Sequence, residues 1–229
     1  ATTTGSVSAI AVMPNGDIVV GGSFTSLGGV ALANVARWNG TAWTPLGSGI
    51  TGSVDALAVA PNGDLLVGGL LASAGGVPVT SLAVWNGTAW SATPGSFSHV
   101  NAIAIGPTGE VVIGGASFLQ AHVARWSGST LLPLGGGMNG EVHSLRFLPD
   151  GTLLAGGDFT AAGGVAAART ARWNGSTWSG FLPVSDGSVE ALAMSPDGTV
   201  WVGGTFTSQP GGALGFLANS VASCPAPVT

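Results

Sequence analysis

Residues 7–25 read VSAIAVMPNGDIVVGGSFT, and residues 34–45 read NVARWNGTAWTP. The first run is a small-residue apolar stretch that stops at Pro14-Asn15-Gly16, a tight-turn signal, and resumes as DIVVGGSFT, which predicts a hairpin of two strands. A Gly-rich loop from Ser26 to Leu32, carrying Gly28-Gly29, leads into a third strand, NVARW. Asn39-Gly40 then turns the chain into a fourth, TAWTPL, since Asn-Gly between apolar runs is a strong hairpin signal.

The unit recurs. The turn proline falls at Pro14, Pro61, Pro107, Pro149 and Pro196, and a diglycine follows at Gly21, Gly68, Gly114, Gly156 and Gly203, both series stepping by 47, 46, 42 and 47 residues. Tryptophans mark the last hairpin at Trp38/Trp43, Trp85/Trp90 and Trp173/Trp178, while the third copy has Trp126 but Leu131 in the second place. Four antiparallel strands at this period match a propeller blade. The expected fold is therefore all-β, a five-bladed β-propeller with four-stranded antiparallel blades and an incomplete last blade. It forms a single domain over 1–229, with blades at about 7–47, 54–94, 100–134, 142–182 and 189–223 and a tail at 224–229. The third blade is shortened by five residues between its diglycine and Trp126, reading ASFLQAHVA there. The fifth has a loop at Gly211-Gly212 and no clear fourth strand. A chain cut from a longer protein is the first reading of that ending, and a three-stranded blade the second.

With five basic residues, ten acidic ones and a net charge of -5, the surface offers no basic stripe, which argues against nucleic acid. No apolar run approaches the roughly 20 residues that span a bilayer, so no membrane insertion is expected. The 40 glycines sit at fixed turn positions, unlike the scatter of a disordered segment. The chain opens at Ala1 without a charged and apolar leader, so a signal peptide is expected to be absent or already removed. Cys224 is the single cysteine and does not settle the redox compartment. The nearly uncharged Thr/Ser/Gly character leans extracellular.

Most recurring residues read as scaffold. Asp17, Asp64, Glu110, Asp150 and Asp197 lie in the first turn of each copy, where such side chains bond nearby backbone. Trp38 and Trp43 are expected to face each other as a cross-strand pair, with a sugar-stacking platform as the sharper alternative. Arg37, Arg125 and Arg172 precede the first tryptophan and would stack on a ring or line a solvated face. The Asn39-Gly40-Thr41 triplet and its counterparts at Asn86 and Asn174 also match the glycosylation acceptor pattern, but the turn alone explains them.

Positions where the copies disagree are the better functional leads. The second residue of the first strand is Ser8, Asp55, Asn101, His143 and Glu190, all polar and all different. As a ring beside a propeller channel they would hold a polar ligand, water or an ion. Arg146 replaces the alanine of Ala11, Ala58, Ala104 and Ala193, and a cramped arginine needs water or a carboxylate. Asp150, Glu190 and Asp158 are its expected partners, Asp158 being the one acid directly after a diglycine. The expected ligand-binding set is thus Ser8, Asp55, Asn101, His143, Glu190, Arg146 and Asp158. No catalytic residue, metal or cofactor is assigned: no triad-like grouping is apparent, and His99, His122 and His143 show no metal-ligand spacing. A glycosidase needs a carboxyl pair, for which Asp55 with Glu190 is the one nomination.

The diglycine followed by a Trp hairpin resembles kelch-type repeats, without their tyrosine. It is more similar to tandem repeats of secreted bacterial proteins reading GG-x-FT-x-x-GG-V…ARWNG-x-x-W, carried here by Gly21-Gly22-Ser23-Phe24-Thr25, Gly28-Gly29-Val30 and Ala36-Arg37-Trp38-Asn39-Gly40. Fungal cortical polarity markers carry a related propeller. The resemblance implies a secreted or surface propeller and transfers no common activity. The expected function is a non-catalytic binding or scaffold module, secreted or at a bacterial cell surface. It would engage a glycan or protein surface through the channel mouth and the loops after Phe24, Phe159 and Phe206. The second expectation is a glycan-active hydrolase.

Overall fold

The computed structural model describes residues 4–93, 97–116, 121–128, 130–182 and 186–207, together with the backbone of Leu217–Ser220. The Gly211-Gly212 loop, Cys224, the tail at 224–229, residues 117–120 of the shortened loop and residues 1–3 lie outside the described residues. Every element among the described residues is a strand. The first sheet orders Thr4–Val12, Ile18–Leu27, Val35–Trp38 and Trp43–Pro45, and the second orders Ile50–Val59, Leu65–Ala74, Leu82–Trp85 and Trp90–Ala92. The third has His99–Ile105, Val111–Ala116, Val123–Trp126 and Leu131–Pro133, and the fourth Val142–Phe147, Leu153–Gly157, Thr170–Trp173 and Trp178–Gly180. In the fifth, Val189–Met194, Val200–Gly204 and Leu217–Ser220 pair in that order. These antiparallel sheets are the blades of an all-β propeller.

The chain divides into two compact units, residues 1–103 with 127–131, and residues 104–126 with 132–229. In the first, Val35, Ile50, Val54, Leu65, Val67 and Trp90 form one buried cluster, and Phe24, Leu27, Leu32 and Ala36 another. In the second, Val142, Leu153, Phe159, Ala171 and Trp178 pack together, and Val189, Val200, Val202 and Phe206 form a further group.

Each first turn consumes its own polar groups. Gly16 N–H donates to Met13 O at 2.9 Å and Met13 N–H to Asp17 O at 2.8 Å, while Asn15 Oδ1 accepts from Asp17 N–H at 3.1 Å. In the fifth blade the Thr199 N–H donates to the Asp197 carboxylate at 3.0 Å, and this bond holds that carboxyl below its ordinary value.

The diglycine performs two separate tasks. A Cβ on the first glycine would meet the valine of the next blade's first strand, at 2.3 Å for Gly21 on Val54 and 2.4 Å for Gly156 on Val189. That valine is a knob in a hole that only glycine leaves open, and it joins consecutive blades. A Cβ on the second glycine would meet a main-chain oxygen of its own blade's first strand, 2.0 Å from Ser6 O at Gly22 and 2.0 Å from Glu141 O at Gly157.

The Gly-rich loop is not a loop but a continuation of the ladder. In the first blade the second strand runs on to Leu27, which pairs with Val30 around Gly28 (φ +59°) and Gly29 (φ +83°). Two positive φ values at the centre of a two-residue connection make a type I′ turn. The same turn recurs at Gly75-Gly76 and Gly163-Gly164. Asn is also favoured in such turns, but a Cβ at Gly75 would lie 2.5 Å from the Trp90 ring, so packing selects glycine.

Asn39-Gly40 belongs instead to a four-residue connection, with Trp38 and Trp43 directly opposed. Asn39 Oδ1 accepts the Thr41 N–H, Ala42 N–H and Thr41 hydroxyl at 2.8–3.0 Å. Replacing Asn39 with Ala strands two backbone donors that water can partly serve. The expected cost is about 1–2 kcal/mol, measurable as a lower urea midpoint.

The tryptophan pairs form as the spacing requires. Ring centroids lie 5.3 Å apart for Trp38–Trp43, 5.2 Å for Trp85–Trp90 and 5.3 Å for Trp173–Trp178. Trp90 Nε1–H reaches Leu46 O and Trp178 Nε1–H reaches Leu134 O, each at 2.9 Å. The second indole of a blade is thereby hydrogen-bonded to the blade before it. Arg37 Nε sits 3.4 Å from the Asp17 carboxylate and Arg172 Nε donates to Ser179 Oγ at 3.2 Å, so these arginines tie strands together along a solvated face.

Candidate functional site

The variable polar residues occupy a shared backbone device. In the second sheet Val54 pairs with Gly69 and Ala56 with Gly68, leaving Asp55 as the extra residue of a β-bulge. Ser8 lies in the same break between Val7 and Ala9, His143 between Val142 and Ser144, and Glu190 between Val189 and Ala191. A bulge residue is released from the ladder and its side chain is re-aimed. The cause is the second glycine of the diglycine, against which the first strand's main chain presses. Asn101 lies at the corresponding place on His99–Ile105.

Asp55, His143 and Glu190 are engaged close to home. Asp55 Oδ2 accepts the Ser53 hydroxyl at 3.2 Å and lies 2.8 Å from His99 Nε2, a residue at the start of the next blade's first strand. Ser188 Oγ donates to the Glu190 carboxylate. His143 Nε2 lies 2.9 Å from Asp158 Oδ2. Glu141 joins that pair: one donor atom from each of Glu141, His143 and Asp158 lies within 4.8 Å of the other two. The backbone fixes this grouping, because Asp158 N–H donates to Glu141 O at 2.8 Å across the bulge. Glu141 and His143 are half-buried and Asp158 is exposed.

A second variable position backs the bulge. Asn34, Ser81, His122 and Arg169 open the third strands with φ of 62°, 64°, 56° and 67°, a left-handed conformation that costs most residues roughly 1–2 kcal/mol. Each carbonyl there accepts the N–H of the second glycine, as Arg169 O does from Gly157 at 3.0 Å. The Arg169 guanidinium donates to the Asp158 main-chain oxygen.

Arg146 does not join any of its expected partners. It opposes Leu154 in the ladder, and Asp158 lies four residues further along, about 13 Å at strand rise. Asp158 is held by His143, and Asp150 Oδ1 accepts the Thr152 N–H at 2.9 Å. Among the described residues Arg146 forms no ion pair, and its Nε is buried without a hydrogen-bond partner.

Sequence reading missed Glu141, His99 as a partner of Asp55, and the left-handed positions. Glu141-Val142-His143 did carry a signal, since alternate strand residues share a face, and Asp158 follows the paired diglycine.

Residues 1–132 match the family described as the Rax2 C-terminal beta propeller domain, and residues 148–175 match a beta-propeller domain of unknown function, DUF5122. No curated protein matches the sequence. Among solved structures the chain is similar to the extracellular domain of a candidate one component system from B. thetaiotaomicron. The TM-score is 0.60 at 15% identity, over 89% of this chain and 26% of that one. It is similar to virginiamycin B lyase from Staphylococcus aureus (TM-score 0.59, 13% identity, 98% of this chain and 71% of that one). It also resembles YCF48 bound to D1 peptide (TM-score 0.56, 17% identity, 97% and 69%). These likenesses are to propeller folds, and the first family match covers more than half of the 229 residues. The chain belongs to the Rax2 C-terminal beta propeller domain family.

Proposed function

We propose that this chain is a non-catalytic binding or scaffold module, secreted or displayed at a bacterial cell surface, that engages a protein surface or a glycan. One observation carries the reading: a constant bulge presents a different polar side chain in successive blades, so scaffold and recognition are separated residue by residue. The Gly-Gly hairpins supply a second set of contacts, each ending in an exposed valine: Val30, Val77 or Val165. A protein surface is favoured over a glycan because Trp90 and Trp178 are buried in blade packing and Trp38 and Trp43, the pair that would make a sugar platform, are half-buried against each other. A partner-binding role also suits a fold with an extracellular domain and a peptide-bound protein among its structural relatives.

The hydrolase alternative requires Asp55 and Glu190 to serve as a carboxyl pair, and turnover separates it from binding. The test is a peptide-display selection run beside a glycan array and a panel of chromogenic glycosides, all in chelator-treated buffer. Selected ligands are expected to bind Asp55→Asn and Glu190→Gln variants at least about tenfold more weakly, as for loss of one charged hydrogen bond, with no glycoside turned over. Turnover that disappears in those variants would establish the hydrolase. Absence of any peptide or glycan binder would overturn the binding role.

A further inference from the structure

We propose that Glu141, His143 and Asp158 form a binding site for a divalent transition-metal cation, independent of which partner the propeller engages. The donor set is one imidazole and two carboxylates, with donor atoms mutually within 4.8 Å. A first-row ion bonded at about 2.0–2.2 Å holds neighbouring donors roughly 3–3.4 Å apart. His143 Nε2 and Asp158 Oδ2, at 2.9 Å, are already at such a spacing, and a Glu141 carboxylate oxygen lies within 4.8 Å of both. Two carboxylates balance the 2+ charge, so loading leaves no net charge at the site. Nitrogen in the set favours a transition metal over Ca²⁺ or Mg²⁺, which prefer all-oxygen shells.

The repeats supply an internal control. The three corresponding positions are Ser6, Ser8 and Ser23 in the first blade and Ser188, Glu190 and Thr205 in the fifth. The backbone there is the same, with a bulge in the first strand and a Cβ on the second glycine 2.0 Å from a main-chain oxygen. The fold therefore needs no metal-donor side chain at any of the three. No other blade has more than one histidine or carboxylate among them, whereas the fourth has three.

Binding has a proton balance. Coordination through Nε2 requires the tautomer of the neutral imidazole with its hydrogen on Nδ1, so the contact between Nε2 and Asp158 is exchanged for bonds from both groups to the ion. With three protein donors, the remaining coordination positions would be left for water or a ligand's own oxygen.

The test is isothermal titration of the whole chain, stripped with chelator, with ZnCl2 and in parallel with CaCl2. The proposal expects one Zn²⁺ per chain. Affinity should weaken about tenfold or more in each of Glu141→Gln, His143→Gln and Asp158→Asn, with His99→Gln unchanged. A second readout needs no variant: Co²⁺ added to the native chain should shift the His143 imidazole signals and leave those of His99 in place. Absence of saturable Zn²⁺ binding, equal affinity in the three variants, or a Co²⁺ effect centred on His99 would overturn the site. Ca²⁺ binding as tight as Zn²⁺ would overturn the transition-metal assignment.

Discussion

Gly157→Ala is expected to destabilise the protein by about 3 kcal/mol or more, although it adds a single methyl group. The added Cβ would stand 2.0 Å from Glu141 O and 3.0 Å from the Val142 Cα. Both are main-chain atoms fixed by the ladder, with Val142 paired to Gly157 and Asp158 N–H on Glu141 O. Relief requires prising the first strand from the second, which breaks the bulge and exposes Val142, a fully buried residue. With an m-value near 3 kcal/mol/M, the urea midpoint should fall by about 1 M or the chain should fail to accumulate. Gly175→Ala is the matched control: its φ is +95° and nothing lies within 4 Å of its Cβ. Only the left-handed backbone penalty of about 1–2 kcal/mol applies there. Should the two substitutions cost the same, steric closure by the bulge would be wrong.

The sequence made the strands, turns and Trp pairs readable because these rest on local rules. Pro-Asn-Gly-Asp announces a turn wherever it occurs, and tryptophans flanking a short connection must meet across it. The bulge was not readable, since an alternating strand with one residue too many looks like an alternating strand. The spacing showed that Ser8, Asp55, Asn101, His143 and Glu190 correspond, while the register showed why they are free to differ. Arg146 failed for a related reason. Proximity in sequence to Asp150 and equivalence to Ala11 say nothing of distance along the ladder, and strand rise places Asp158 out of reach. Glu141 is obscured because three of its four counterparts, Ser6, Ser53 and Ser188, are serines, so the position reads as scaffold although the third blade has His99 there. The Gly28-Gly29 segment reads as a loop in the sequence because glycine usually weakens a strand. At the two centres of a type I′ turn it has the opposite effect.

Trp178→Ala is the second large effect, expected to cost about 3–5 kcal/mol, and it separates packing from recognition. The indole is 4% exposed and sits over the Trp173 ring at 5.3 Å. Its edge lies close enough to Gly163 and Gly135 that a Cβ on Gly163 would be 3.2 Å away and one on Gly135 3.0 Å. Removing the ring opens a cavity bounded by two glycine turns, which cannot extend side chains to fill it. Trp178→Phe keeps most of the ring but removes the Nε1–H donated to Leu134 O. That carbonyl keeps the Gly137 N–H at 3.0 Å but loses its indole donor at a joint between consecutive blades, a loss of about 0.5–1.5 kcal/mol. The two variants should therefore fall in the order wild type, Phe, Ala in urea denaturation, with the Phe variant still folded at room temperature. A sugar-stacking platform would behave in reverse: an exposed indole contributes little to stability, and its removal abolishes binding while the midpoint stays put. If Trp178→Ala unfolds like the native chain and instead loses a glycan ligand, the tryptophans are recognition groups. If it unfolds early, Trp178 is a packing group, committed through its ring and its Nε1–H to holding consecutive blades together.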